Sequence, residues 1–317
     1  MDHEEYDALV VVTPKDYLRV ERTMEQLVRY LPVRKIIYIG SVEVGEYVSE
    51  SPWKDNLGFI NENDLIPFSQ VYDCMTKIME PLLQGRALPR GIVGWYYQQF
   101  LKMEYARVSD HPYYMTWDGD TLPCGAFSMF SADGRPYFDM KHEYCEEYFV
   151  TMTKLFPDLH KLLDKSFISE HMLFSCVYMK ALMEELEERK DLEGEHFWEK
   201  ILHSIRLEHI QESSFSEFET YGTYMMTRHP EVYEYRNWHS FRYGGYFFRP
   251  EEMKEQDYQW LGKDFFAISF EKGHAVREDF DHLFNNPVYQ QKMSARQMLE
   301  IAQEEMEGYK EVWEEGE

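Results

Sequence analysis

Ala8-Leu-Val-Val-Val-Thr13 opens a pattern that closes only at Lys35-Ile-Ile-Tyr-Ile39, and the stretch between them decides the fold. The first run is continuous, apolar and β-branched, as in a strand covered on both faces. Tyr17, Val20, Met24, Leu27, Val28 and Leu31 then fall at i, i+3, i+7, i+10, i+11 and i+14, one helical stripe with Pro32 as its stop. The second strand ends at Gly40. Strand, helix and strand in this order predict a right-handed parallel unit at the start of a layered α/β sheet. Ligands of such sheets bind beyond the carboxyl ends of the strands, here near Thr13, Gly40 and Asn61.

Further on, Leu57-Gly-Phe-Ile60 reads as a third strand, with the polar turn Asn61-Glu-Asn-Asp64 after it. A helix is expected over 71–83. Another spans Trp95–Met103, where Trp95, Gln98, Gln99 and Lys102 share one face and Tyr97, Phe100 and Leu101 another. Tyr113-Tyr-Met-Thr-Trp117 reads as a strand that runs directly into Asp118-Gly119-Asp120. Ala132-Asp-Gly-Arg135 between Phe127–Phe130 and Pro136–Asp139 predicts a hairpin. Helical patterns follow over 143–156, 170–189, 197–205 and 216–228. A short helix near 251–260, a strand over 265–270 and an acidic helix over 294–313 end the chain.

Composition narrows the functions. The 317 residues are 44% hydrophobic and 16% aromatic, enough for a sizeable core. A net charge of −25 repels phosphate backbones and disfavours nucleic acid as a partner. Neither a leader pattern nor a run of transmembrane length is present, which predicts a cytoplasmic protein. No basic amphipathic helix stands out for membrane docking, although peripheral association stays open. Cys74, Cys124, Cys145 and Cys176 are widely spaced, which fits reduced thiols better than a disulfide framework or zinc site.

The chemistry concentrates at the end of the Tyr113–Trp117 strand. Two carboxylates one residue apart, Asp118 and Asp120, offer hard oxygen ligands to Mg²⁺ or Mn²⁺, cations that complete their shells with substrate phosphate oxygens. A metal so placed neutralises charge on a leaving diphosphate. In isolation the same two residues describe many surface turns.

Val12-Thr-Pro-Lys-Asp-Tyr17, Gly94-Trp-Tyr-Tyr-Gln-Gln-Phe-Leu-Lys102, Asp118-Gly-Asp-Thr-Leu-Pro123 and Ser214-Phe-Ser-Glu-Phe-Glu-Thr-Tyr-Gly222, in that order, resemble a bacterial family of GT-A glycosyltransferases of surface polysaccharide assembly. The resemblance covers about residues 5–275. It implies a GT-A, Rossmann-like fold with added C-terminal helices: a catalytic domain over 1–280, its nucleotide-binding half about 5–125 and its acceptor half about 126–280, then an acidic helical extension over 281–317. It also implies Mn²⁺ or Mg²⁺, a nucleotide-diphospho-sugar donor with UDP favoured, a hexosyl group for transfer, and a glycan or lipid-linked glycan acceptor.

Position by position, Thr13, Pro14 and Tyr17 match the segment that lines the base and ribose, with Asp16 a helix cap as readily as a ligand. Asp64 matches a base contact, or a turn former. Gln99 and Lys102 face ribose or phosphate, and Trp117, Asp118 and Gly119 border the donor. Glu217 and Glu219 match the region of the catalytic carboxylate in inverting members; two positions apart on a helix, only one can face the site, and Glu217 is favoured as base. If configuration is retained, neither need be one. His274 is the best-placed third metal ligand, ahead of His239; His171, at the start of a helical pattern, borders the acceptor, with His239 its companion.

Two other enzyme classes and a non-catalytic binding protein compete. A haloacid-dehalogenase-like phosphatase also starts from Asp-x-Asp, but wants Thr or Val where Leu122 stands. A nucleotidyltransferase opens with a glycine-rich basic loop, which Thr13-Pro-Lys-Asp16 is not. A sugar-nucleotide-binding protein would bind donor without transfer.

Overall fold

The computed structural model describes residues 5–271, 273–277 and 283–302. The chain is a mixed α/β protein. In order come β1 (Asp7–Val11), α1 (Pro14–Glu21), α2 (Met24–Tyr30), β2 (Ile36–Gly40), α3 (Val42–Glu50), β3 (Leu57–Asn61), α4 (Glu62–Leu65), α5 (Phe68–Leu83), α6 (Arg90–Glu104), β4 (Tyr113–Trp117), β5 (Thr121–Pro123) and β6 (Tyr137–Met140). They are followed by α7 (Glu146–Leu155), β7 (His171–Ser175), α8 (Cys176–Glu188), α9 (Phe197–Ser204), α10 (Glu217–Arg228), β8 (Glu234–Asn237), β9 (Ser240–Phe241), α11 (Glu255–Leu261), β10 (Ala267–Ser269) and α12 (Pro287–Lys292).

Two compact units divide the chain. The first comprises Met1–Leu18, Pro32–Gly119 and Ser128–Trp238; the second comprises Arg19–Leu31, Asp120–Phe127 and His239–Glu317. Their boundary falls inside the Asp118-Gly119-Asp120 motif.

The first unit is built on a sheet of order β3-β2-β1-β4-β7. β3, β2, β1 and β4 run parallel, and β7 closes the edge antiparallel to β4, with Trp117 opposite His171. The β1–α–β2 unit forms as its sequence predicts, because buried Leu9, Ile37 and Ile39 need cover. Aromatic residues of α6, α9 and α10, including Tyr96, Phe100, Phe197, Phe218 and Tyr221, join them in one core. Successive strands step outward from β1 to β2 to β3, whereas β4 lies on the other side of β1. That reversal creates a crevice between the carboxyl ends of β1 and β4, where open α/β sheets place ligands. A second, parallel pair, β6 with β8, belongs to the same unit. In the other unit β10 pairs antiparallel with β5 and parallel with β9.

Gly40 ends β2 because nothing larger fits: a Cβ there would stand 2.6 Å from the Val12 carbonyl oxygen, a backbone atom that cannot swing aside. Gly40→Ala is therefore expected to destabilise the protein by about 1–3 kcal/mol, measured as a lower urea midpoint; an unchanged midpoint would show that the β1 and β2 ends separate freely.

Several expectations change. The single helix over 17–31 is two, because Thr23 hydrogen-bonds the Val20 carbonyl (3.0 Å) and interrupts the ladder. α3 had no counterpart in the sequence reading. The hairpin over 127–139 shrinks to a bridge, Phe130 to Pro136, around a turn with Gly134 at φ 80°, and β6 finds its ladder on β8 instead. His171 opens a strand rather than a helix; the apolar run Met172-Leu-Phe174 carries no period that separates the two. The acidic C-terminal helix is present over 295–302, and the rest of that expectation lies outside the described residues.

Candidate active site

Asp118 follows the last residue of β4 and its side chain is 39% exposed. Lys102 of α6 reaches it from below: its Nζ is 3.1 Å from Asp118 Oδ1 and 2.9 Å from Glu217 Oε1. Lys102 and Glu217 are buried. One ammonium thus joins the carboxylate at the sheet edge to the first residue of α10. Its Nζ also lies 4.6 Å from the Phe218 ring centroid. Burial alone would pull the Lys102 pKa down, but the charges and hydrogen bonds of Asp118 and Glu217 more than reverse this and raise it above the ordinary lysine value.

Gln99, one turn before Lys102, accepts the Glu217 backbone N–H through Oε1 (3.0 Å) and donates from Nε2 to the Trp95 carbonyl (3.2 Å). The face of α6 read as polar is therefore turned inward, onto the N-terminus of α10. That terminus adds its partial positive charge to the environment of Glu217. Glu219 points elsewhere. Its Oε2 accepts from the Ser166 hydroxyl (2.5 Å) and the Phe167 amide (3.2 Å), and Ser216 caps the helix at the Glu219 N–H. Burial raises the Glu219 pKa, against the lowering effect of the Ser166 bond.

Thr13, beyond β1, is exposed. It donates to Asp16 Oδ2 (2.7 Å) and accepts the Asp16 N–H (3.2 Å), so both residues cap α1, with Pro14 at its first position. Tyr17 is fully buried between Tyr38 and Tyr47, with centroids 5.0 and 5.8 Å away. Asp64 is exposed on α4.

Trp117 is buried, 5.3 Å from the His171 ring, and Gly119 lies in the turn after β4. His171 has no exposed surface. Its Nδ1 is 2.8 Å from the Ser169 carbonyl and its Nε2 2.9 Å from Asp139 Oδ2, while Arg236 grips Asp139 at 2.6 and 2.7 Å. Burial would raise the Asp139 pKa, but the hydrogen bonds from Arg236 and His171 hold it below the ordinary value. His171 is thus a buried bracket in this structure, not a pocket wall. Sequence reasoning missed Asp139, Glu170 and Arg236, which lie far apart along the chain and form no local motif.

In the second unit, Asp120 accepts the Phe270 N–H through its carbonyl (2.7 Å). His274 stacks on Tyr246 (4.1 Å), and its buried Nδ1 has no hydrogen-bond partner. His239 is exposed and immediately precedes β9. Among the described residues, no three His, Cys, Asp or Glu side chains are grouped to hold a metal ion by themselves.

The chain matches the model of DUF6492, a family of unknown function, over residues 42–294. It belongs to that family. No curated protein matches this DUF6492 member by sequence. Solved structures similar to it include mouse xyloside xylosyltransferase 1 in its apo form, at 11% identity over 86% of this chain and 100% of that one, with a TM-score of 0.42. The galactosyltransferase LgtC with donor and acceptor sugar analogues is 10% identical over 86% and 90% of the two chains, with a TM-score of 0.42. The WbbM bifunctional glycosyltransferase is 10% identical over 92% of this chain and 51% of its own, with a TM-score of 0.43. No helix among the described residues is long and apolar enough to cross a membrane.

Proposed function

We propose that this protein is a metal-dependent GT-A glycosyltransferase that moves a sugar, a hexose by preference, from a nucleotide-diphospho-sugar, UDP-linked by preference, to a glycan or lipid-linked glycan hydroxyl in surface polysaccharide assembly. The observation that carries this reading is the position of Asp118: a half-exposed carboxylate at the carboxyl end of β4, beside the crevice where the strand order reverses, with a buried lysine and a second carboxylate behind it. In open α/β sheets that is where a ligand sits.

The donor set suits Mg²⁺ or Mn²⁺. Such cations are held by one or two carboxylates plus substrate phosphate, so a protein-only cage of three ligands is not required. Asp118 and Asp120 are the proposed carboxylates, and His274 the proposed third ligand. A bound cation would supply charge neutralisation on the leaving diphosphate. Lys102 adds a fixed positive charge at the same edge, and Thr13, Pro14, Gly119 and Trp117 frame the crevice for the donor. Glu217 is the proposed general base if transfer inverts configuration. Exposed Asp64 and His239 remain proposed contacts for base and acceptor. A cytoplasmic site of action fits the use of sugar nucleotides.

Calorimetry with UDP-, GDP- and CDP-sugars in Mn²⁺ tests the reading. One donor is expected to bind, with affinity lost in EDTA and reduced at least about 100-fold, roughly 2.7 kcal/mol, in Asp118→Asn and Asp120→Asn. Binding that ignores EDTA and both substitutions, or no binding by any sugar nucleotide, would sink it.

A further inference from the structure

We propose that Glu170 is a positioning residue that acts through its backbone: its left-handed conformation aims a carbonyl at Asp118 and fixes the orientation of the candidate cation ligand, a role whose functional meaning rests on the reading of Asp118 above. Among the described residues, Gln84 and Glu170 are the non-glycine residues with positive φ, 50° and 64°. Gln84 is a helix C-cap, where that conformation is common. Glu170 ends no helix. It is buried and stands immediately before β7, where L-residues are disfavoured sterically and persist only if their surroundings over-determine them.

Its surroundings do so on both sides. The Ser169 hydroxyl donates to the His171 carbonyl (2.8 Å), while His171 Nδ1 meets the Ser169 carbonyl (2.8 Å), a double clasp around residue 170. Asp139, gripped by Arg236, holds the other ring nitrogen of His171. Lys141, two residues along from Asp139, pairs with the Glu170 carboxylate. The whole buried charge network therefore converges on one kink. On the outward side the Glu170 carbonyl accepts the Asp118 N–H at 2.9 Å, one step past the last ladder pair, Trp117 and His171. A kink so heavily braced, and bonded to the Asp118 amide, sets where the Asp118 carboxylate starts from.

Four variants separate backbone from charge. Glu170→Gly and Glu170→Asn tolerate positive φ but discard the carboxylate, whereas Glu170→Ala and Glu170→Val resist that conformation. Hydrogen exchange of the Asp118 amide, read by NMR, needs no ligand; Mn²⁺ affinity is titrated alongside. The Gly and Asn variants are expected within about threefold of wild type in both, and the Ala and Val variants to exchange about tenfold faster and bind Mn²⁺ correspondingly more weakly. If the Val variant fails to fold, the Ala variant decides. Wild-type exchange in Ala and Val, or a folded Gly variant that loses Asp118 protection, overturns the proposal. Absence of Mn²⁺ binding in wild type even with UDP-, GDP- and CDP-sugars present, with the exchange pattern as expected, would remove the glycosyltransferase reading and leave the positioning intact.

Discussion

Lys102→Met is expected to lower the free energy of unfolding by about 3–5 kcal/mol, because it strands the buried Glu217 carboxylate without its counter-ion. Gln99 still accepts the Glu217 N–H and the α10 N-terminus keeps its partial positive charge, but the ammonium that offsets the desolvation is gone. Urea unfolding followed by tryptophan fluorescence reads the effect. The pair Lys102→Met with Glu217→Met is expected to recover most of the loss, since two apolar side chains of similar length leave no unpaired charge. A double variant as unstable as the single would show that Lys102 contributes through packing on Phe218 rather than through charge. The pH dependence follows from its raised pKa: the ion pair's contribution is complete below the ordinary lysine value of about 10.4 and declines only as pH rises toward the still higher folded value. The difference between wild type and Lys102→Met should therefore stay flat between about pH 6 and 9.

The sequence shows the frame of this site more clearly than its wiring. The parallel β1–α–β2 unit is legible because a buried strand and a helical stripe have distinct periods, and Asp118 is legible because it ends such a strand. Lys102 is found as a residue expected to reach ribose or phosphate, but its burial against α10 is not; 3.6-residue periodicity identifies which residues share a side and says nothing about which side α10 covers. His171 is found and misassigned to a helix, since the short apolar run Met172–Phe174 fits either period. Glu170 was out of reach. Its meaning lies in a backbone angle held by the Ser169–His171 clasp, which Asp139 and Arg236 brace from far along the chain, and no glycine or Asn-Gly pair beside it announces a left-handed turn. Tyr17 shows the converse: the motif that suggested a nucleotide contact is satisfied here by aromatic packing on Tyr38 and Tyr47.

Glu217→Gln divides the two roles open to that carboxylate, and its expected effect on transfer is the largest of any single substitution here. As a general base, Glu217 takes the acceptor proton only in the chemical step, so the amide should keep donor affinity within a few-fold while transfer falls by about 10²–10⁴. As a mere counter-ion to Lys102, it would act on donor binding, through the position of a charge proposed to face the diphosphate, and both affinity and rate would shift together. Two observations bear on the choice: Glu217 is held at 2.9 Å by Lys102, and the same ammonium lies 3.1 Å from Asp118 Oδ1. Steady-state kinetics with saturating donor, paired with calorimetry on the same preparation, distinguish the outcomes. Unchanged transfer with unchanged binding would eliminate Glu217 from the chemistry altogether and leave Lys102 tied to it for stability alone.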